Sequence, residues 1–400
     1  MKAVVWHDVG DIRLDDVPEP EIRDPHDAIV QITTSAICGT DLHMVRGTVP
    51  GMREGTVLGH EAVGVVTEVG PGVRNFRPGD RVVVPSTIGC GTCSYCRAGY
   101  YAQCDRANPN GRRAGTAFFG GPESTGAFDG LQAERARVPY ANVGLVPIPE
   151  QVSDEEAILL SDIFPTAWFG ARLAEIGPGD TVAVFGCGPV GLFSIISARL
   201  QGAGRVLAVD RVPSRLEQAR ALHAEVVDFD EEDPVEALVE LTGGIGPDRV
   251  IDAVGVDAVG PARGPGRSDE PAGLADEVAE VAPRTNPQGR TWVPGDAPSQ
   301  AARWAVDALA KAGTLSVIGV YPPSMTRFPF GTAMNKNLAI NMGNCHHRRY
   351  IPHLVDLVAS GVVSGTSVLT QEEPLPGVID AYTTFDRREP GWTKVALTTV

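Results

Sequence analysis

Positive charge is what this 400-residue chain has least of: 34 Lys and Arg stand against 50 Asp and Glu, only four of the basic residues are lysines, and the formal net charge is -16. Nucleic acid and anionic membrane surfaces attract basic proteins, so neither is expected as a partner. A small molecule is. Long apolar runs are scarce as well. Only TVAVFGCGPVGLFSIISARL stays uncharged for about the length of a membrane span, from Thr181 to Ser197, and three glycines and a proline break any helix in its first half. Strand, tight turn and helix is the better reading. The opening residues, MKAVVWHDVGDIRLDD, contain no apolar core and no small-residue cleavage site, so they read as a strand rather than a signal peptide, and a cytoplasmic location is expected. Cysteine is rare outside one cluster, which holds four of the seven. An odd number of thiols in a reducing compartment does not make a disulfide framework.

At this length the chain is expected to divide into two folded units. Up to about Val146 it offers short β-type runs, AIVQITTSAI, AVGVVTEVG and DRVVVP, between Gly and Pro turns. From about Ile163 strand and helix alternate: TVAVFG, VGLFSIISARLQG, RVLAVD, RLEQARALHA, DRVIDAVG. That is the rhythm of an α/β unit with a parallel sheet. A Pro-, Gly- and acid-rich stretch, about 257–300, interrupts it before AARWAVDALAKAGTLSVIGV resumes the pattern. Interruptions of that length are either functional or solvated insertions. A helix in IPHLVDLVASG and a strand near TKVALTT are expected to rejoin the first unit.

Gly186, Gly188 and Gly191 have G-x-G-x-x-G spacing between an apolar strand and a helix, and a second strand ends in Asp210. In that context the turn formed by Gly186, Gly188, Pro189, Val190 and Gly191 is a dinucleotide site, with the pyrophosphate on the helix N-terminus. Asp210 is placed to bind the ribose hydroxyls and to repel a 2′-phosphate, which favours NAD over NADP; Arg211 and Arg215 beside it are the residues that would accept such a phosphate.

The cluster GCGTCSYCRAGYYAQC spaces Cys90, Cys93, Cys96 and Cys104 as C-x2-C-x2-C-x7-C. Four thiolates close the tetrahedral shell of a structural zinc and leave it no position for substrate. Cys38, in SAICGTDLHMVRG, and His60, in VLGHEAVG, supply one thiolate and one imidazole of a second, open zinc site that needs a third protein ligand.

With these motifs in this order, the chain resembles the zinc-dependent medium-chain alcohol dehydrogenase family over nearly its whole length. It is most similar to the branch of glutathione-independent formaldehyde dehydrogenase and formaldehyde dismutase through CGTDLHMVRG, LLSDIFPTAWFGA, GCGPVGL and the insertion. The resemblance implies a GroES-like β-rich catalytic domain over 1–162 and 343–400, with a zinc lobe at about 86–108, and a doubly wound Rossmann NAD-binding domain over 163–342. It also implies two zinc ions per chain, one structural and one catalytic, and an oxidoreductase in which the catalytic zinc activates the substrate oxygen. Asp162 falls where liver-type enzymes have a third, cysteine ligand; taken alone, an Asp there is an ordinary helix N-cap. Glu61 matches a carboxylate able to ligate zinc during exchange, Thr40 and His43 match a proton relay, and Lys394 matches a basic residue near the pyrophosphate. Ser86 stands where the family often has an aromatic, implying room for a larger alcohol, a polyol, a sugar or an aldehyde, with Phe118, Phe119, Trp168 and Met334 as residues that either line that space or belong to the core. A dismutase with tightly held NAD and a catalytically idle NAD-binding relative are the alternatives. A homodimer or homotetramer is expected.

Overall fold

The computed structural model describes residues 1–111, 115–266, 274–285 and 291–399. The chain forms two units: Met1–Pro165, Asn286–Trp292 and Asn344–Val400 make the first, and Thr166–Thr285 with Val293–Gly343 the second.

In the first unit the long strand Ala28–Ile37 is the centre of a seven-stranded sheet. Its β-branched residues suit a pleated surface, and Val30 and Ile32 are fully buried. Ala62–Val69, Arg135–Val138 and Val395–Thr398 all pair with it antiparallel. Arg81–Val84 continues the sheet beyond Ala62–Val69. Val82, Val84 and Leu131 pack into the same core as Cys90, Cys96 and Cys104, so the thiol cluster is anchored on the sheet rather than hung from it. This sheet is also what sets the position of Cys38. At Ile37 the strand stops, Cys38 keeps extended backbone angles, and the helix Gly39–Arg46 begins immediately after it. Asp41, the third residue of that helix, accepts the Cys38 N–H at 2.9 Å, closing one of the free donors of the helix start.

The second unit is a six-stranded parallel sheet. Its strands are Thr181–Phe185, Arg205–Asp210, Glu225–Asp228, Arg249–Asp252, Thr314–Val317 and Ala339–Met342. Numbered in chain order, they lie 3-2-1-4-5-6. The order reverses between the first and fourth strands, and nucleotides bind at such a switch point, outside the carboxyl ends. The uncharged run splits as read, into the strand Thr181–Phe185 and the helix Pro189–Leu200. Among the described residues no helix is long and apolar enough to cross a membrane.

The stretch about 257–300 carries more structure than its composition suggests. Residues 267–273 and 286–290 of it lie outside the described residues, but Leu274–Val281 is a helix. Its buried carboxylate, Glu277, accepts from Arg303 at 3.1 Å and from the Ser299 N–H at 3.2 Å. Val281 and Ala282 at its end pack with Val256, so apolar contacts and the Glu277 ion pair anchor this helix together. Farther on, Trp292 belongs to the first unit, where its N–H donates to Asp386 at 2.9 Å.

Candidate active site and metal centres

Cys38, His60, Glu61 and Asp162 come together in the first unit, each buried, with one ligand atom apiece inside a 4.8 Å cluster. Asp162 Oδ2 lies 3.5 Å from His60 Nε2 and 3.9 Å from Cys38 Sγ. Donors bound to one tetrahedral Zn²⁺ at about 2.1 Å for N or O and 2.3 Å for S stand about 3.4–3.8 Å apart, so these separations suit a shared ion. His60 gives the clearest sign. Its Nε2 is buried without a hydrogen-bond partner. Its Nδ1 is 3.0 Å from Asp41 Oδ1, which fixes the tautomer that leaves the Nε2 lone pair free.

The electrostatics ask for a cation. Burial alone would lower the pKa of His60, yet Asp41, Asp162 and Cys38 around it push that pKa well up. Burial, and then the charge of Glu61, raise the Cys38 thiol. Such anionic donors, enclosed without solvent, are stable when a metal or a proton balances them.

Asp41 was not singled out by the sequence reading, because an acid in the first turn of a helix is ordinary. Its other oxygen accepts from Gln132 Nε2 at 3.3 Å as well as from Cys38 N, and Tyr382 donates its hydroxyl to Gln132 Oε1 at 2.7 Å. This chain of bonds orients Cys38 and His60 at once. Asp41→Asn keeps the shape but turns one of the two acceptor oxygens into an NH2 donor facing an N–H, and is expected to lower zinc affinity at this centre 10- to 100-fold, measured by competition with a chromophoric chelator.

Glu61 has a fully buried cationic neighbour. Lys394 Nζ lies 2.5 Å from Glu61 Oε2 and donates to the Ile37 carbonyl at 3.1 Å. These contacts describe Lys394 as the partner of Glu61, a role different from the pyrophosphate neighbour expected from the sequence. Thr40 and His43 share the helix Gly39–Arg46 three residues apart, hence on one face. The His43 Nδ1 is 2.8 Å from the Thr48 hydroxyl.

Asp162 has a second missed neighbour. His347 Nε2 is 2.5 Å from Asp162 Oδ1, and His347 Nδ1 is 3.0 Å from the Thr87 hydroxyl. The neighbouring His346 accepts the Ala102 N–H at Nδ1, 3.2 Å, and meets the Tyr100 ring edge-on. Burial, followed by the charges of Arg349 and His347, pushes the His346 pKa down to about 4, as suits an acceptor.

The four thiols of the other group also converge. Cys93 Sγ and Cys104 Sγ are 4.0 Å apart, against about 3.8 Å for two sulfurs on one tetrahedral zinc. Backbone N–H groups point at the sulfurs, from Cys90 and Ala107 to Cys104 and from Thr92 and Cys93 to Cys90. Hydrogen bonding from the Cys96 thiol, with the backbone donors behind it, pulls Cys104 down to about 4. All seven cysteines are free thiols.

Of the pocket residues, Phe118 presents its ring edge-on to His60, centroids 6.3 Å apart. Phe119 is 2% exposed and belongs to the core. Ser86 is buried and donates its N–H to Ser161 O at 3.2 Å. Trp168 and Met334 belong to the second unit, where Met334 is 83% exposed.

In the second unit the glycine turn follows the first strand of the sheet. Gly186 has φ +87°, and a Cβ on Gly191 would lie 1.7 Å from Gly186 O, so no other residue fits there. Gly188 caps the helix and Pro189 opens it, with Val190 following. Asp210 ends its strand and accepts Cys187 N–H at 2.7 Å, tying the two strand ends together. Arg211 pairs with Asp230 at 3.4 Å and donates to Gly260 O at 3.0 Å, whereas Arg215 Nη1 lies 3.9 Å from where a Gly188 Cβ would stand.

The comparisons agree with this geometry. A family model for the alcohol dehydrogenase GroES-like domain matches residues 24–150, and one for zinc-binding dehydrogenase matches residues 189–262. The chain is 37% identical to an uncharacterized zinc-type alcohol dehydrogenase-like protein of Bacillus subtilis, over 99% of this chain and 100% of that one. It is 34% identical to glutathione-independent formaldehyde dehydrogenase of Pseudomonas aeruginosa, over 97% and 96%. The structure of an alcohol dehydrogenase from Thermus sp. ATN1 superposes with a TM-score of 0.80 at 34% identity, covering 100% of this chain and 99% of that one. The formaldehyde branch is therefore one of several similar groups. A buried cluster of Cys38, His60, Glu61 and Asp162 and a second cluster of four thiols, in a GroES-like and Rossmann chain matched along its length, accompany a likeness that makes this protein a member of the zinc-type, medium-chain alcohol dehydrogenase family.

Proposed function

We propose that the chain moves a hydride between an alcohol, or the hydrate of an aldehyde, and NAD at the centre held by Cys38, His60 and Asp162. The observation that carries this reading is the unpartnered Nε2 of His60 beside one thiolate and one carboxylate, a set of three ligands that leaves a fourth position for substrate. Bound there, zinc supplies Lewis acidity toward the substrate oxygen, and NAD supplies the hydride acceptor. The chain's own residues do the rest. Thr40 takes the hydroxyl proton and His43 passes it toward solvent. Asp41 holds His60 in the ligating tautomer, and Lys394 balances the charge of Glu61, the carboxylate able to ligate during exchange. Residues 163–342 bind the nucleotide at Gly186–Gly191, and Asp210 favours NAD. Because Arg211 is occupied by Asp230, kcat/KM with NADP is expected to be at least about tenfold below that with NAD, one missing charged contact being worth about 1.5–3 kcal/mol.

A screen of primary alcohols, polyols, sugars and aldehydes, followed by NADH absorbance with and without a chelator, tests the reading. Activity that survives removal of the metal overturns it. A second reading, an aldehyde dismutase that retains NAD, is favoured by the start of the insertion, where Gly260 and Ala262 are tied to Arg211 and Asp230 beside the Asp210 strand. Turnover of an aldehyde without added NAD is its signature. Two or four copies per assembly are inferred, with light scattering as the check.

A further inference from the structure

We propose that His347 is a positioning residue: it claims one oxygen of Asp162 and so confines that carboxylate to ligation through the other, keeping a coordination position open for substrate. The inference rests on the reading that Cys38, His60 and Asp162 hold the catalytic metal.

A carboxylate differs from the thiolate it replaces in having two donor atoms. If both bind, the ligand set fills one more position, which is the position the reaction needs. In this chain the two oxygens are treated unequally. Oδ2 faces the other ligands, 3.5 Å from His60 Nε2 and 3.9 Å from Cys38 Sγ, while Oδ1 lies 2.5 Å from His347 Nε2. A ring nitrogen that close to a carboxylate oxygen donates its N–H, and that holds for either the neutral Nε2–H ring or the cation.

His347 is itself held firmly. Its side chain is 4% exposed and its Nδ1 is 3.0 Å from Thr87 Oγ1. The same hydroxyl reaches the Cys345 carbonyl at 3.3 Å, and His346 is fixed by Ala102 N–H. Cys345 and His346, leading into the helix His347–Ala359, therefore tie Asp162 through His347 to Thr87 and to the thiol lobe at Ala102. A ligand orienter needs that rigidity, because rotation of the carboxylate by a fraction of a turn would exchange its oxygens.

The test replaces zinc by Co²⁺ in the full-length protein and reads its visible absorption, which loses intensity as coordination rises from four to five. A His60→Ala protein supplies the spectrum of the four-thiolate site alone for subtraction. His347→Ala is expected to retain Co²⁺ at the catalytic centre, to lose absorption intensity there, and to lose kcat 10- to 100-fold. His347→Gln, which keeps an N–H donor, restores most of both. Thr87→Val leaves the ring without its hydroxyl support and shifts the spectrum in the same direction by less, which covers the case of an unstable alanine variant. In an Asp162→Cys background the ligand has one donor atom, so adding His347→Ala changes kcat less than about twofold.

An unchanged spectrum in His347→Ala, or an equal loss of kcat in the Asp162→Cys background, overturns the inference. A wild-type protein that takes up Co²⁺ only at the four-thiolate site overturns the metal reading underneath, and the inference with it.

Discussion

Replacing Cys38 by alanine is expected to leave one zinc per chain where two are expected in the wild type, and to lower kcat roughly 10³- to 10⁴-fold. Two groups of ligands converge among the described residues, and only one of them includes Cys38. His60 and Asp162 by themselves are two ligands for an ion that needs three from the protein. The metal's contribution to the transition state, several kcal/mol, is lost with it; about 5 kcal/mol corresponds to the stated factor. The fold is expected to survive, since the Cys38 N–H that Asp41 caps belongs to the backbone and is untouched by the substitution. Metal analysis beside a melting curve separates the outcomes. Two zinc ions and near-normal turnover in the variant would remove Cys38 from the centre.

Cys96→Ala is expected to act on stability first. Cys90, Cys96 and Cys104 are packed in the core of the first unit's sheet, so the lobe cannot loosen without exposing that core. Zinc-finger peptides gain about 10–16 kcal/mol from a structural zinc, and a third of that, about 4 kcal/mol, lowers Tm by about 8–16 °C in a unit of this size. Rapid proteolysis within residues 86–108 should accompany the fall. Catalytic zinc is retained in this variant, but kcat drops as well, because Ala102 no longer holds His346 beside the Asp162 partner. A variant that loses its lobe zinc with no change in Tm would make the four thiolates dispensable to the fold.

What could be read from the sequence was whatever chemistry advertises locally. C-x2-C-x2-C-x7-C and G-x-G-x-x-G keep their own residues within a short stretch of chain, and the alternation of strand and helix after Ile163 announces a parallel sheet. The third zinc ligand needed a resemblance, because one Asp in a helical stretch has no spacing to betray it. The orienting residues were out of reach for a different reason. His347 meets Asp162 across 185 positions, Gln132 meets Asp41 across 91, and Tyr382 meets Gln132 across 250. Each is decided by which strands and turns become neighbours, a tertiary fact that local pattern does not encode. The insertion was harder to read because its helix is only eight residues long between acidic and Pro-rich stretches, although Val278 and Val281 repeat at helical spacing beside the Glu277 that Arg303 and Arg327 hold. Lys394 was assigned by position along the chain, and its burial against Glu61 emerges only when Val395–Thr398 is laid beside Ala28–Ile37.

That last pairing bears on how the protein is made. The strand leading to Cys38 is flanked by residues synthesised far later, and Lys394 bonds Ile37 across 357 positions. At about 5–20 residues per second, roughly 20–70 seconds separate the appearance of the two on the ribosome. Until then Glu61 lacks its counterion and Asp162 its histidine. The thiol lobe, with all four ligands inside sixteen residues, can take its ion early in synthesis. The cluster around Cys38 gains its last neighbour only when Lys394 has emerged, so metal uptake there is expected to follow uptake by the lobe.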